Sequence, residues 1–171
     1  MAKNQTSNER VWLGLAVTRI ALGVIFFWAF IDKLWGLKYA TPAAKAWVNG
    51  GSPTTGFLKG AGGPFAGLFH NMSGVVLADW LFMLGLLGIG VALILGIGMR
   101  IAAWAGATMM VLMYLAVWPA GAAKSNNPLV DDHIVYALVL LVLGWALPNQ
   151  KLSLAGWWGS LDFVKKNPWL K

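Results

Sequence analysis

The chain has 171 residues, 58% of them hydrophobic and 11% charged, with a mean hydropathy of +0.66. A soluble domain runs at roughly 45–50% apolar and about 25% charged, so too little polar material is present to coat a soluble globule. Thirteen Lys and Arg against six Asp and Glu give +7, spread over short connections and tails, which argues against a nucleic-acid interface and for membrane orientation; the absence of cysteine removes disulfides, thiolate metal sites and thiol relays.

A helix crossing a hydrocarbon core of about 30 Å at a rise of 1.5 Å per residue needs about 20 mostly apolar residues. The first such span covers residues 11–34. Lys3 and Arg10 before it give it the outline of a signal peptide. Its apolar run is longer than the usual 7–15 residues, however, and the small residues Ala43, Ala44 and Ala46 lie too far downstream for cleavage, so the helix is expected to be retained. Arg19 falls seven residues past Trp12, about 10 Å into the helix, on one face with Gly23, Phe26, Phe30 and Lys33. It reads either as a fixed positive charge for an anionic or carbonyl-bearing ligand or as an arginine snorkelling to the near headgroups. Asp32 and Lys33 close the helix, and for both an ordinary interfacial ion pair competes with a functional role.

Residues 35–74 make an outer loop of roughly forty residues, against 2–8 for most helix connections. Trp47, Phe57, Leu58, Phe65, Leu68 and Phe69 lie among Gly60, Gly62, Gly63 and Pro64, so the loop is expected to fold back as a cap on the mouth of the bundle. Its glycines lack the Lys-Ser/Thr ending of a phosphate-binding loop.

The second span, 75–97, starts beside Asp79 and Trp80 and carries Gly88, Ala92 and Gly96 as a small-residue face for helix packing. Only Gly98, Met99 and Arg100 separate it from the third span, 101–119, which makes the two antiparallel neighbours. The fourth span, 131–148, opens with Asp131, Asp132 and His133 behind Asn126, Asn127 and Pro128. Its apolar run covers about 21 Å, which draws this cluster toward the membrane boundary.

One of the two aspartates suits a helix N-cap. The other stands with His133, and Tyr136 follows Asp132 one turn later on the same face. Histidine titrates near neutral pH, as a proton exchanger beside a quinone must, because quinone reduction takes two protons with two electrons. The competing reading is a hydrogen-bonded boundary histidine. His70 and His133 have no metal-ligand spacing, and no metal site is expected.

Seven basic residues (Lys3, Arg10, Arg100, Lys151, Lys165, Lys166 and Lys171) fall on the side of the termini, against five (Lys33, Lys38, Lys45, Lys59 and Lys124) opposite. Both termini and a tail at 149–171 are therefore expected in the cytoplasm, with the chain in the plasma membrane of a prokaryote. Most of the eleven tryptophans sit near span ends, as a headgroup belt requires: Trp12, Trp104, Trp145, Trp157 and Trp158 on one side, Trp28, Trp35, Trp80 and Trp118 on the other. The expected fold is all-α, a four-helix transmembrane bundle in one domain with a long, partly structured outer loop between helices one and two.

Arg19, Gly23 and the Asp32-Lys33-Leu34 ending, together with the start of the fourth helix from Asn127 through Asp131, Asp132 and His133 to Tyr136, resemble the DoxX/DoxD family of four-helix membrane proteins over residues 10–150. The apolar first loop with Gly56, Phe57 and Leu58 resembles the DoxD branch. The resemblance implies a membrane subunit of a thiosulfate:quinone oxidoreductase, which passes electrons from an extracytoplasmic sulfur donor to membrane quinone. Such subunits work with a DoxA-like part, expected here on another chain because only about twenty residues follow the fourth span.

On this reading Asp132 and His133 exchange protons, Lys33 and Asp79 are their charge partners, and Arg19 is a buried positive charge. Trp28, Trp80 and Tyr136 complete the quinone site. The alternative is a non-catalytic membrane scaffold for a partner oxidoreductase, or a carrier of small apolar molecules, alone or as a homo-oligomer. No central proline breaks a span and no inverted repeat is apparent, so alternating access is not indicated.

Overall fold

Apolar side chains recur at helical spacing through four segments of the chain, and each segment forms a helix that buries one face. The computed structural model describes residues 2–120, 127–146 and 151–171. Among the described residues the fold is all-helical. The helices are α1 (Ala2–Trp35), α2 (Thr55–Lys59), α3 (Ala66–Met72), α4 (Val76–Leu95), α5 (Met99–Val117), α6 (Asp132–Trp145), α7 (Ala155–Ser160) and α8 (Asp162–Lys166). Of these, α1, α4 and α5 are long and apolar enough to cross a membrane, whereas α6 is a shorter apolar helix of 14 residues. The expected last residues of the fourth span, 147–148, the first of the tail, 149–150, and Asn126 and Lys124 lie outside the described residues.

Two antiparallel pairs build the bundle: α1 packs along α4, and α5 along α6, with α4–α5 and α1–α6 contacts joining them. The shared core takes Leu22 and Phe26 from α1, Met83, Leu86 and Leu93 from α4, Met110 from α5, and Leu140 and Leu143 from α6. Glycines set the spacing within each pair. A Cβ on Gly90 would lie 2.7 Å from the backbone nitrogen of Phe27, and one on Gly23 would lie 2.9 Å from that of Ile94. Across the other pair, a Cβ on Gly144 would meet the Cβ of Ala103 at 2.5 Å, and one on Gly106 would meet Leu140 Cδ1 at 2.8 Å. The expected Gly88-Ala92-Gly96 face is not the one used. Gly88 is exposed with nothing near its Cβ position, and Gly96 lies beyond the end of α4.

The α4–α5 turn is residues 96–98, two residues earlier than the sequence suggests, because Gly96 and Gly98 take left-handed conformations at φ +68° and +58°. The connection between α1 and α4 is a folded cap of α2, α3 and three 3-10 turns. Leu58, Ala61 and Phe69 form a second small core with Ala116 of α5, and the Gly62 N–H donates to the Ala116 carbonyl at 2.8 Å. At the opposite end residues 151–171, expected as a tail, fold across the bundle. The Leu154 N–H donates to the Leu95 carbonyl at 2.8 Å, the Arg100 N–H to that of Lys171 at 2.9 Å, and Val164 is fully buried.

Overpacking a close helix contact costs typically 1–3 kcal/mol, so Gly90→Leu is expected to lower stability by at least about that much. Gly88→Ala, on an open face, is expected to be neutral or to stabilise by up to about 1 kcal/mol through helix propensity. Thermal unfolding of the two variants in detergent, followed by circular dichroism, checks the contrast.

Candidate functional site

Asp32, Asp79 and Asp131 lie at helix ends, and Arg19 reaches one from the middle of α1. Arg19 is 1% exposed and reaches the carboxyl end of α4. Its Nη1 donates to the carbonyls of Leu93 and Ile94, and its Nη2 to those of Leu152 at 2.7 Å and Lys151 at 3.3 Å. The last carbonyls of an α-helix have no partner within it, and a guanidinium offers five donors in a planar fork. The side chain therefore neither snorkels nor presents its charge to a ligand: it satisfies one helix end and clasps the C-terminal segment to it. Gly96 makes room, since a Cβ there would fall 2.7 Å from Nη1 and 2.4 Å from the Cβ of Ser153.

Among the described residues Arg19 Nε has no hydrogen-bond partner, and the guanidinium borders a cleft of about 10 Å³ lined by Trp12, Leu15, Ala16, Leu143 and Ala146. A cavity of this size holds about one water, whereas pockets for organic ligands run to roughly 300–1,000 Å³.

Two acidic residues hold the cap. Asp32, 2% exposed at the carboxyl end of α1, accepts the N–H groups of Tyr39 at 3.2 Å and Ala40 at 3.0 Å. Asp79 in the first turn of α4 is also buried, and its Oδ1 accepts from Thr54 Oγ1 at 2.6 Å, the Thr54 N–H at 3.1 Å and Ser52 Oγ at 2.8 Å. The ion pairs expected for these carboxylates are replaced by neutral donors from the loop. Such donors satisfy a buried carboxylate and fix the loop's path at the same time.

The helix start at Asp131, Asp132 and His133 is arranged differently. Asp131 is the N-cap of α6, with Oδ1 accepting the Ile134 N–H at 3.3 Å, and its Oδ2 lies 2.8 Å from His133 Nδ1. An ionised carboxylate only accepts, so against it Nδ1 is the donor. The two side chains are 17% and 16% exposed, while Asp132 is 70% exposed with its nearest oxygen 3.6 Å from Nδ1. The residue paired most closely with His133 is thus Asp131, not Asp132. The signal lay in the sequence, because a residue immediately before a helix is the one that bonds the N–H three positions on. One ligand atom from each of the three residues lies within 4.8 Å of the others, but the N-terminal end of a helix disfavours a cation.

The remaining expected site residues are not gathered around this pair. Lys33 and Asp79 form no ion pair with Asp131, Asp132 or His133 among the described residues. Tyr136 is half-buried against the main core and makes no hydrogen bond to Asp132. Trp28 stands edge-on to Tyr39 at 5.1 Å, and Trp80 to Trp47 at 4.7 Å, so each indole is occupied by a residue of the cap. Comparison with protein-family models, with curated proteins and with solved structures finds no match for this chain.

Hydrogen bonds to a charged group contribute about 1.5–3 kcal/mol each. Arg19→Met is therefore expected to cost about 3 kcal/mol or more and to release residues 151–171 from the bundle. Limited trypsin digestion in detergent reads the release as early cleavage after Lys151; equal protection of variant and wild type would refute the clasp.

Proposed function

We propose that this chain is a DoxX/DoxD-like four-helix membrane subunit of a redox complex, with α6 as its fourth crossing. Its own chemical contribution is a proton-exchanging Asp131–His133 pair at the outer membrane boundary. The observation carrying this reading is the 2.8 Å contact between two partly exposed titratable side chains at the start of α6. Asp131 engages Nδ1 and leaves Nε2 as the ring nitrogen proposed to exchange a proton. With no cysteine in the chain, electrons from a donor such as thiosulfate are handled by a partner chain. Membrane quinone is the proposed acceptor, and it meets the pair from the lipid side of α6, where Val135 and Leu138 are exposed, not from inside the bundle.

A specific observation favours a second reading, the non-catalytic scaffold. Arg19, Asp32 and Asp79, the buried charged residues of the membrane helices, are all engaged in holding backbone or cap. On this reading His133 and Asp131 only begin a helix, and the folded cap offers its outer surface to a partner oxidoreductase.

Thiosulfate-dependent reduction of a soluble quinone analogue, measured with the partner chain present, separates the two readings. General acid–base groups typically contribute about 10²–10⁴-fold, so His133→Ala and Asp131→Asn are each expected to lose about 100-fold, with little change in Asp132→Asn. Undiminished activity in His133→Ala would leave the scaffold standing. Orientation is checked independently, because the chain has no native cysteine. With both termini cytoplasmic, Lys59→Cys is expected to react with a membrane-impermeant maleimide in intact cells and Lys166→Cys only after lysis. The opposite pattern inverts the topology.

A further inference from the structure

The two ends of the bundle differ in charge. Among the described residues at one end, Lys33, Lys38, Lys45 and Lys59 are balanced by Asp32, Asp79, Asp131 and Asp132. At the end closed by residues 151–171, the exposed side chains of Arg10, Arg100, Lys151, Lys165, Lys166 and Lys171 face only Glu9 and Asp162, an excess of four positive charges. Among the described residues the one ion pair on this face is Asp162 with Lys165 at 3.2 Å, between side chains 88% and 59% exposed.

Aromatic rings stand among these cations. Trp157, Phe163 and Trp169 are 58%, 51% and 60% exposed, although the segment that carries them is fastened to the ends of α4 and α5. Its fastening is internal as well: Trp158 Nε1 donates to the Leu170 carbonyl at 2.7 Å, and the Trp158 ring stands edge-on to Phe163 at 5.4 Å. The segment is therefore a folded platform that holds indoles and lysines outward together. Indoles prefer the headgroup level. Clustered Lys and Arg just beyond a membrane helix attract anionic lipid at about 1 kcal/mol per residue. The length of α6 fits this depth, since 14 residues cover about 21 Å of a core of about 30 Å. Residues 151–171 then lie at or within the boundary on this side, not out in the solvent.

We infer that the platform of residues 151–171, with Arg10 and Arg100, is a binding surface for anionic phospholipid of the adjoining leaflet. The aromatic rings seat it at headgroup depth, and the lysines select lipids with a net negative phosphate over zwitterionic ones. The inference rests on the membrane-spanning reading but on neither reading of the redox function.

Electron paramagnetic resonance of chain-labelled lipids tests both layers. The protein is reconstituted in phosphatidylcholine bilayers doped with spin-labelled phosphatidylglycerol or spin-labelled phosphatidylcholine, and the motionally restricted fraction is compared. Restricted lipid of either class reports that helices span the bilayer, and the ratio between classes reports selection. Phosphatidylglycerol is expected to be favoured by about threefold at low salt, and the preference is expected to fall in 0.5 M salt. A Lys165→Gln, Lys166→Gln, Lys171→Gln triple variant is expected to lose at least about half of it. Lys38→Gln, Lys45→Gln, Lys59→Gln, at the outer end, is expected to keep it. Equal restriction of the two lipids, or a preference undiminished in the first triple variant, would overturn the assignment. No restricted lipid of either class would overturn the spanning reading and the platform with it.

Discussion

An α-helix that ends against other protein inside a membrane leaves carbonyls that no water reaches, and each needs a donor from elsewhere in the chain. The carboxyl end of α4 meets this requirement completely. The Ala92 carbonyl accepts the N–H groups of Gly96 and Ile97, those of Leu93 and Ile94 accept from Arg19, and that of Leu95 accepts from Leu154. Three distant stretches thus converge on one turn: the first helix, the glycine turn and the segment after α6. The cation also complements the negative end of the helix dipole. The register of α1 against α4 follows from it, because placing Arg19 on Leu93 and Ile94 sets Gly23 against Ile94 and Gly90 against Phe27.

The same physics runs through the opposite end with the signs reversed. Asp79 and Asp131 occupy helix starts, where free N–H groups and a positive dipole end favour a carboxylate. Asp32 gathers two N–H groups from the chain as it leaves α1. Buried charge in this protein is consequently tied to backbone at helix termini, which lets one residue stabilise two parts of the chain at once. Asp131 alone also engages a histidine, His133. This separates the Asp131–His133 pair, the group on which the proposed chemistry rests, from the other charged positions.

Much of the fold was legible in the sequence. The positions of three long helices, the tight turn near Arg100 and the shared face of Arg19, Gly23 and Phe26 follow from hydropathy and helical period. Partners were legible less often. Nothing local to Arg19 indicates that its acceptors are carbonyls at 93–94 and 151–152, because backbone acceptors have no sequence signature. Asp79 looked available for an ion pair because Ser52 and Thr54 are common loop residues and their convergence needs the folded cap. The spacing of Gly88, Ala92 and Gly96 misled for a different reason. A small-residue stripe marks where another helix could approach, and the turn after Leu95 removes Gly96 from the stripe while the partner helix uses Gly90.

The clasp on α4 also has an order in time. Arg19 and residues 92–97 are synthesised early, so the bonds from Nη1 to Leu93 and Ile94 can form as soon as the first two long helices meet. The Leu95 carbonyl and the Nη2 side of the guanidinium acquire their partners only when residues 151–154 emerge, after α5 and α6 have been made. In chain order the contact runs from a half-satisfied hairpin to a sealed one. Residues 151–154 complete a contact begun by the first helix, so a bundle without them would leave the Leu95 carbonyl and the Nη2 side of Arg19 without these partners.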